Sequence, residues 1–166
     1  MAVEDLAARE GDIVPMSLET KTEANVQQAV PFFSVSNIEA SVGYYVDGLG
    51  FEMKNQWIVE GKLRWCWLQL AGAALMLQEF RKEGPDSWTP RGKVGDGVSI
   101  YFQCKDALKI YREIRKRGIQ TQRPFVGNAM WVVTLSDPDG YKIHFTSPTE
   151  VPEETELSEG VAEFEG

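Results

Sequence analysis

One run of elements occurs twice in this chain, in the same order and at the same spacing. The helix stop Leu49-Gly50-Phe51 and its counterpart Arg117-Gly118-Ile119 stand 68 residues apart (118 − 50). The strand candidates ALMLQ and KIHFT keep that offset (144 − 76). Agreement of order and spacing together is stronger evidence than any single motif, and twofold repetition is a usual way to build a cleft between two curved sheets.

Each copy reads as a βαβββ unit. In the first, QAVPFFSV is a strand candidate ending near Val35. Asn37 is placed to cap the next helix, since its side-chain oxygen accepts an orphan backbone N–H. Ile38, Val42, Tyr45 and Leu49 then recur at helical spacing, and Gly50 supplies the left-handed stop. FEMKNQWIV, LRWCWLQLA and AALMLQEF follow as strands, with Glu60-Gly61 and Ala71-Gly72 as hairpin turns. In LRWCWLQL the residues Leu63, Trp65, Trp67 and Gln69 face one way and Arg64, Cys66, Leu68 and Leu70 the other. Both sets are apolar enough to predict a strand covered on both sides. In the second copy, GVSIYFQC is a strand, Asp106 caps the helix ALKIYREIRKRG, IQTQRPF is a short strand, and AMWVVTLS and YKIHFTS flank the turn DPDG.

The expected organisation is a mobile leader (1–25), a first unit (26–80), a Gly/Pro/charge-rich linker (81–96), a second unit (97–148) and an acidic tail (149–166) draped on the surface or disordered. The fold class is α+β: two βαβββ modules forming curved mixed sheets around a cleft.

Composition excludes several function classes. The net charge of −8 disfavours nucleic acid and anionic membranes as partners. No apolar run reaches the roughly 18 residues of a membrane helix. The start MAVEDLAAREGDIVPM lacks the basic and apolar regions of a secretory signal, so a cytoplasmic location is expected. Cys66 and Cys104 are not closely spaced and read as reduced, buried thiols. The basic run Lys109 to Gly118 reads as the solvated face of a helix. No phosphate-binding glycine loop or serine elbow is present.

The segments FSVSNIEASVGYYVDGLGF and DPDGYKIHF carry a resemblance to the vicinal oxygen chelate superfamily, which includes glyoxalase I, the bleomycin-resistance proteins and the extradiol dioxygenases. The first resembles the family's strand–helix signature, with Tyr44 or Tyr45 before the LGF stop, and the second its final hairpin. The resemblance covers about 120 of the 166 residues. It implies that each unit offers one metal ligand from its first strand and one from its fourth, gathering four around a divalent ion that polarises a carbonyl. By register those positions are Val30, Met76, Ser99 and His144. Valine cannot bind a metal, methionine is a soft ligand, and serine is weak unless ionised. Only His144, the single histidine, is a good donor.

The expectation is therefore a protein without a cofactor, closest to the bleomycin-resistance-like branch. It would bind a small aromatic or cationic molecule in a metal-free cleft, for sequestration or resistance, as a homodimer. The expected ligand-binding residues are His144, Ser99, Met76, Trp57, Trp65, Trp67 and Trp131, with Gly127-Asn128 letting backbone approach the ligand. The alternative is a lyase, isomerase or dioxygenase with a rearranged site for Zn, Ni, Mn or Fe.

Overall fold

The computed structural model describes residues 25–158. Most of the expected leader and the end of the expected tail lie outside the described residues. The first unit comprises β1 (Phe32–Val35), α1 (Ile38–Val42), β2 (Glu52–Val59), β3 (Lys62–Leu70) and β4 (Ala73–Glu79). The second comprises β5 (Ser99–Gln103), α2 (Ala107–Lys116), β6 (Phe125–Gly127), β7 (Met130–Ser136) and β8 (Lys142–Pro148). Each makes a four-stranded mixed sheet, in the orders β1-β4-β3-β2 and β5-β8-β7-β6. The parallel pair in each is first strand with last, and the other pairs are antiparallel.

The helices start alike. Asn37 Oδ1 accepts from the Ala40 amide at 3.0 Å, and Asp106 Oδ1 from the Lys109 amide at 2.9 Å. A second orphan N–H at each start is met from the unit's last strand. Ile38 N–H donates to Glu79 Oε2 and Ala107 N–H to Ser147 Oγ, both at 3.0 Å. Glu79 and Ser147 are 68 residues apart (147 − 79), so the two units solve one capping problem at one position. The helices differ in length. The caps are 69 residues apart (106 − 37), the stops Gly50 and Gly118 only 68. The extra residue of the first helix is absorbed in a π-helical turn, Gly43–Gly48, where Leu49 N–H reaches Tyr44 O five residues back.

Two strand expectations are corrected. IQTQRPF does not form a strand; β6 begins at Phe125, after Pro124, whose ring nitrogen has no hydrogen to give a ladder. Also, β3 is not covered on both sides. Cys66 and Leu68 are fully buried under α1, while Trp65 and Trp67, on the other face, are half-buried. Residues 149–158 are held in place: Phe125 bridges Glu156, Leu157 is buried, and Val126 exchanges backbone bonds with Glu154 and Thr155.

The units are locked by the turn before β8. Tyr141 stacks on Phe33 at 3.9 Å between centroids, and its hydroxyl donates to Ser34 O at 3.0 Å. Asp139 Oδ2 accepts from Ser36 N–H at 3.0 Å. Asp137, buried, accepts from the Tyr45 hydroxyl at 2.9 Å and from the amides of Asp139 and Tyr141. Desolvation pushes the Asp137 carboxyl above its ordinary range, and those donors pull it back. The helix-side residues of both sheets share one core, in which Phe51 meets Phe102 edge-on at 5.8 Å. The linker is tied to the same turn, since Gly95 N–H donates to Asp139 O.

Two substitutions test this lock. A Cβ on Gly95 would clash with the backbone nitrogen of Tyr141, so Gly95→Ala should cost about 1–3 kcal/mol in urea denaturation. Tyr45→Phe removes a donor from a buried carboxylate and should cost about 1–3 kcal/mol. An unchanged unfolding midpoint in both variants would show that the turn does not hold the units together.

Candidate functional site

Cross-strand partners share a face, so the ladder registers assign every strand residue to one side of its sheet. In the first sheet Trp57 pairs Trp65, Trp67 pairs Met76, and Met76 pairs Phe32. These five side chains form the face opposite α1. It is open in a single chain: Trp57 is 54% exposed and Phe32 49%. The structure therefore brings together four of the expected residues, Trp57, Trp65, Trp67 and Met76, and adds Phe32.

The second sheet presents the equivalent face. His144 pairs Tyr101 on one side and Thr134 on the other. The Tyr101 ring lies on the imidazole at 4.3 Å and 14°. Thr134 Oγ1 is 3.0 Å from His144 Nδ1, which leaves Nε2 without a partner among the described residues. Tyr101 is 58% exposed. Ser99 alternates with Tyr101 onto this face, paired with Lys142. Partial burial lowers the His144 pKa, and the Lys142 charge lowers it further.

Trp131 is not on this face. It pairs Val126 and Ser147, alternates with Val133, and packs against the helix-side core. Gly127-Asn128 is no open ligand loop either. Asn128 and Ala129, both at positive φ, make a two-residue hairpin turn, and the Glu153 carboxylate accepts from both their amides. Glu79 is occupied as a helix cap. Phe32 and Tyr101 were legible as the residues two beyond Val30 and Ser99, but only the parallel registers place them beside Met76 and His144.

The donors do not fit the metal that the resemblance implies. Met76 and His144 are equivalent positions on separate sheets, Val30 precedes β1 and carries no donor, and Ser99 is two residues from the Tyr101–His144 stack. Among the described residues no group of three or more His, Cys, Asp or Glu side chains could hold an ion. The thiols are no substitute: burial raises Cys66 to about 11, and Cys104 is raised as well, its Sγ donating to Thr146 O. The open faces offer apolar contact, ring stacking and one neutral imidazole.

A groove of about 830 Å³ lies elsewhere, between the β3–β4 turn, β5 and α2.

His144 provides a pH test. Its folded pKa is below the ordinary 6.5, so the unfolded chain binds the proton more tightly. The stability linked to His144 is thus present above pH 6.5 and is lost as pH falls through that value toward the lowered one. Denaturation series at stepped pH should show this loss in the parent and not in His144→Gln. The single ring can also be titrated directly by NMR, and a midpoint at or above 6.5 would contradict the burial described.

The comparisons with known proteins agree with this architecture. The structure is similar to that of TioX from Micromonospora sp. ML1, with a TM-score of 0.59 and 15% identity over 74% of this chain and 99% of that one. It is similar to a bleomycin-binding protein in complex with bleomycin, with a TM-score of 0.57, 19% identity, and 74% and 98% of the two chains covered. TnmS3, an antibiotic binding protein from Streptomyces sp. CB03234, matches with a TM-score of 0.55, 21% identity, and coverage of 74% and 98%. At these identities the likeness is one of fold. No curated protein sequence matches significantly. Residues 27–145 match the family model of the Glyoxalase/Bleomycin resistance protein/Dioxygenase superfamily, and the chain belongs to that superfamily.

Proposed function

We propose that the helix-free faces bind a small, flat aromatic or cationic molecule, without a metal and without chemistry, and that the protein sequesters it in the cytoplasm. The observation that carries this reading is the cluster Phe32, Trp57, Trp65, Trp67 and Met76 on one exposed sheet face. Apolar surface left in water costs on the order of 25 cal/mol per Å². Aromatic faces also attract flat π systems and cations. The net charge of −8 favours a cationic ligand over an anionic one. Two structural neighbours are described as a bleomycin-binding protein in complex with bleomycin and an antibiotic binding protein, which supports binding as the role. Among the described residues no helix is long and apolar enough to cross a membrane.

The proposed assembly is a homodimer. Among the described residues of one chain nothing covers either open face. A second copy can set its His144–Tyr101 face opposite the tryptophan face and enclose the ligand between them. Ser99 and Lys142 would then stand at the polar margin.

Three measurements test this reading. Titration with a panel of cationic aromatic compounds should quench tryptophan fluorescence and raise the melting temperature. Trp67→Ala, at the centre of the face, should weaken binding by about tenfold or more. A panel that moves neither signal sinks the proposal. Sedimentation should give a dimer, and a monomer at all accessible concentrations would remove the enclosed site. The alternative, a metal-dependent lyase, isomerase or dioxygenase, requires stoichiometric Zn, Ni, Mn or Fe in the purified protein. Elemental analysis and stabilisation by those ions decide between the two readings.

A further inference from the structure

The 830 Å³ groove has a filled counterpart in the same molecule. The repeat maps each residue of the Tyr141 lock onto the other unit. Phe33 maps to Phe102 (102 − 33 = 69), Ser36 to Lys105 (105 − 36 = 69) and Tyr45 to Ile114 (114 − 45 = 69). Tyr141 maps to Ala73 (141 − 73 = 68) and Asp137 to Leu70 (137 − 70 = 67), the last offset following from the registers Trp67↔Met76 and Thr134↔His144. Phe102, Lys105, Ile114, Ala73 and Leu70 all line the groove. The groove is therefore the image of the lock with its contents missing. Where the second unit inserts a tyrosine ring and two carboxylates, the first offers an alanine, a leucine and a turn one residue shorter.

What the filled copy binds shows what the empty copy can hold. In the lock an aromatic ring stacks on Phe33, its hydroxyl donates to Ser34 O, and a carboxylate accepts from Ser36 N–H. The empty copy retains each of those receptors. Phe102 is half-buried and borders the space. Cys104 N–H donates to Thr146 O, so Cys104 is turned toward β8. Its neighbour Gln103, the image of Ser34, then points its carbonyl to the free edge of β5. Lys105 replaces Ser36, adding an ammonium group that has no ion pair among the described residues. Arg117, whose Nη1 donates to Gly48 O at 3.4 Å, brings a second cation to the rim, against one carboxylate from Glu113.

We infer that this groove is a second small-molecule site, separate from the tryptophan face and bordering the second open face at Tyr101, that takes a hydroxyaryl carboxylate: ring on Phe102, phenol to Gln103 O, carboxylate to Lys105. Its preferred charge is opposite to that proposed for the tryptophan face, because Lys105 and Arg117 outnumber Glu113 at the groove.

The test uses the full-length protein with 4-hydroxyphenylacetate as probe, followed by calorimetry and backbone amide NMR. Saturable binding that shifts the Phe102, Gln103 and Lys105 amides is expected, and tyramine, the cationic analogue, should bind at least about tenfold more weakly. Ala73→Tyr should abolish binding, because it rebuilds the tyrosine of the lock inside the groove. Lys105→Glu, at an exposed position, should weaken binding by about tenfold and leave the melting temperature unchanged. Trp67→Ala should leave this binding intact, so failure here is separable from failure of the tryptophan-face proposal. The inference is overturned if the probe does not bind at millimolar concentration, if Ala73→Tyr folds and still binds, or if Trp67→Ala removes binding.

Discussion

Everything else in the molecule depends on a five-residue segment, Asp137 to Tyr141, that leaves one unit and is received by the other. The Phe33–Tyr141 stack supplies apolar burial, and the Tyr45–Asp137 bond supplies direction. A carboxylate with little access to water is stable only while its donors stay in place, so the lock tolerates one arrangement of the units and resists sliding. That arrangement turns the helix-covered sides of the sheets inward to a shared core. It leaves the other sides facing out.

The duplication is a symmetry of backbone more than of side chains. Both helices are capped from their own last strand, by Glu79 and by Ser147, and both stop at a glycine. These features serve a backbone geometry that both copies share. At the junctions the copies diverge. One presents Tyr141 and Asp137, the other Ala73 and Leu70. One junction holds the inter-unit lock, and its image in the repeat is a groove.

The two open faces diverge in the same way. Met76 and His144 occupy one position in the repeat, yet the first sits among tryptophans and the second between a tyrosine and a threonine. Rings at such positions offer dispersion and cation–π attraction rather than directional coordination. Under the proposed function, a face of that kind would select for shape and flatness. Among the described residues it has no cover from water.

The sequence by itself determined the element order and both helix caps and stops, because spacing and residue chemistry are local properties. The one-residue mismatch between offsets of 69 and 68 is present in the sequence, but its cause, a π-helical turn, is not, since an inserted residue can be absorbed in several ways. Tertiary structure alone decided which face each tryptophan takes. Trp131 and Trp67 look alike in an alternating strand, and only packing under a helix puts the first inside and leaves the second at the open face. Tertiary structure alone also revealed the lock and its empty image, because both join residues that are far apart in the chain, and periodicity carries no record of such contacts.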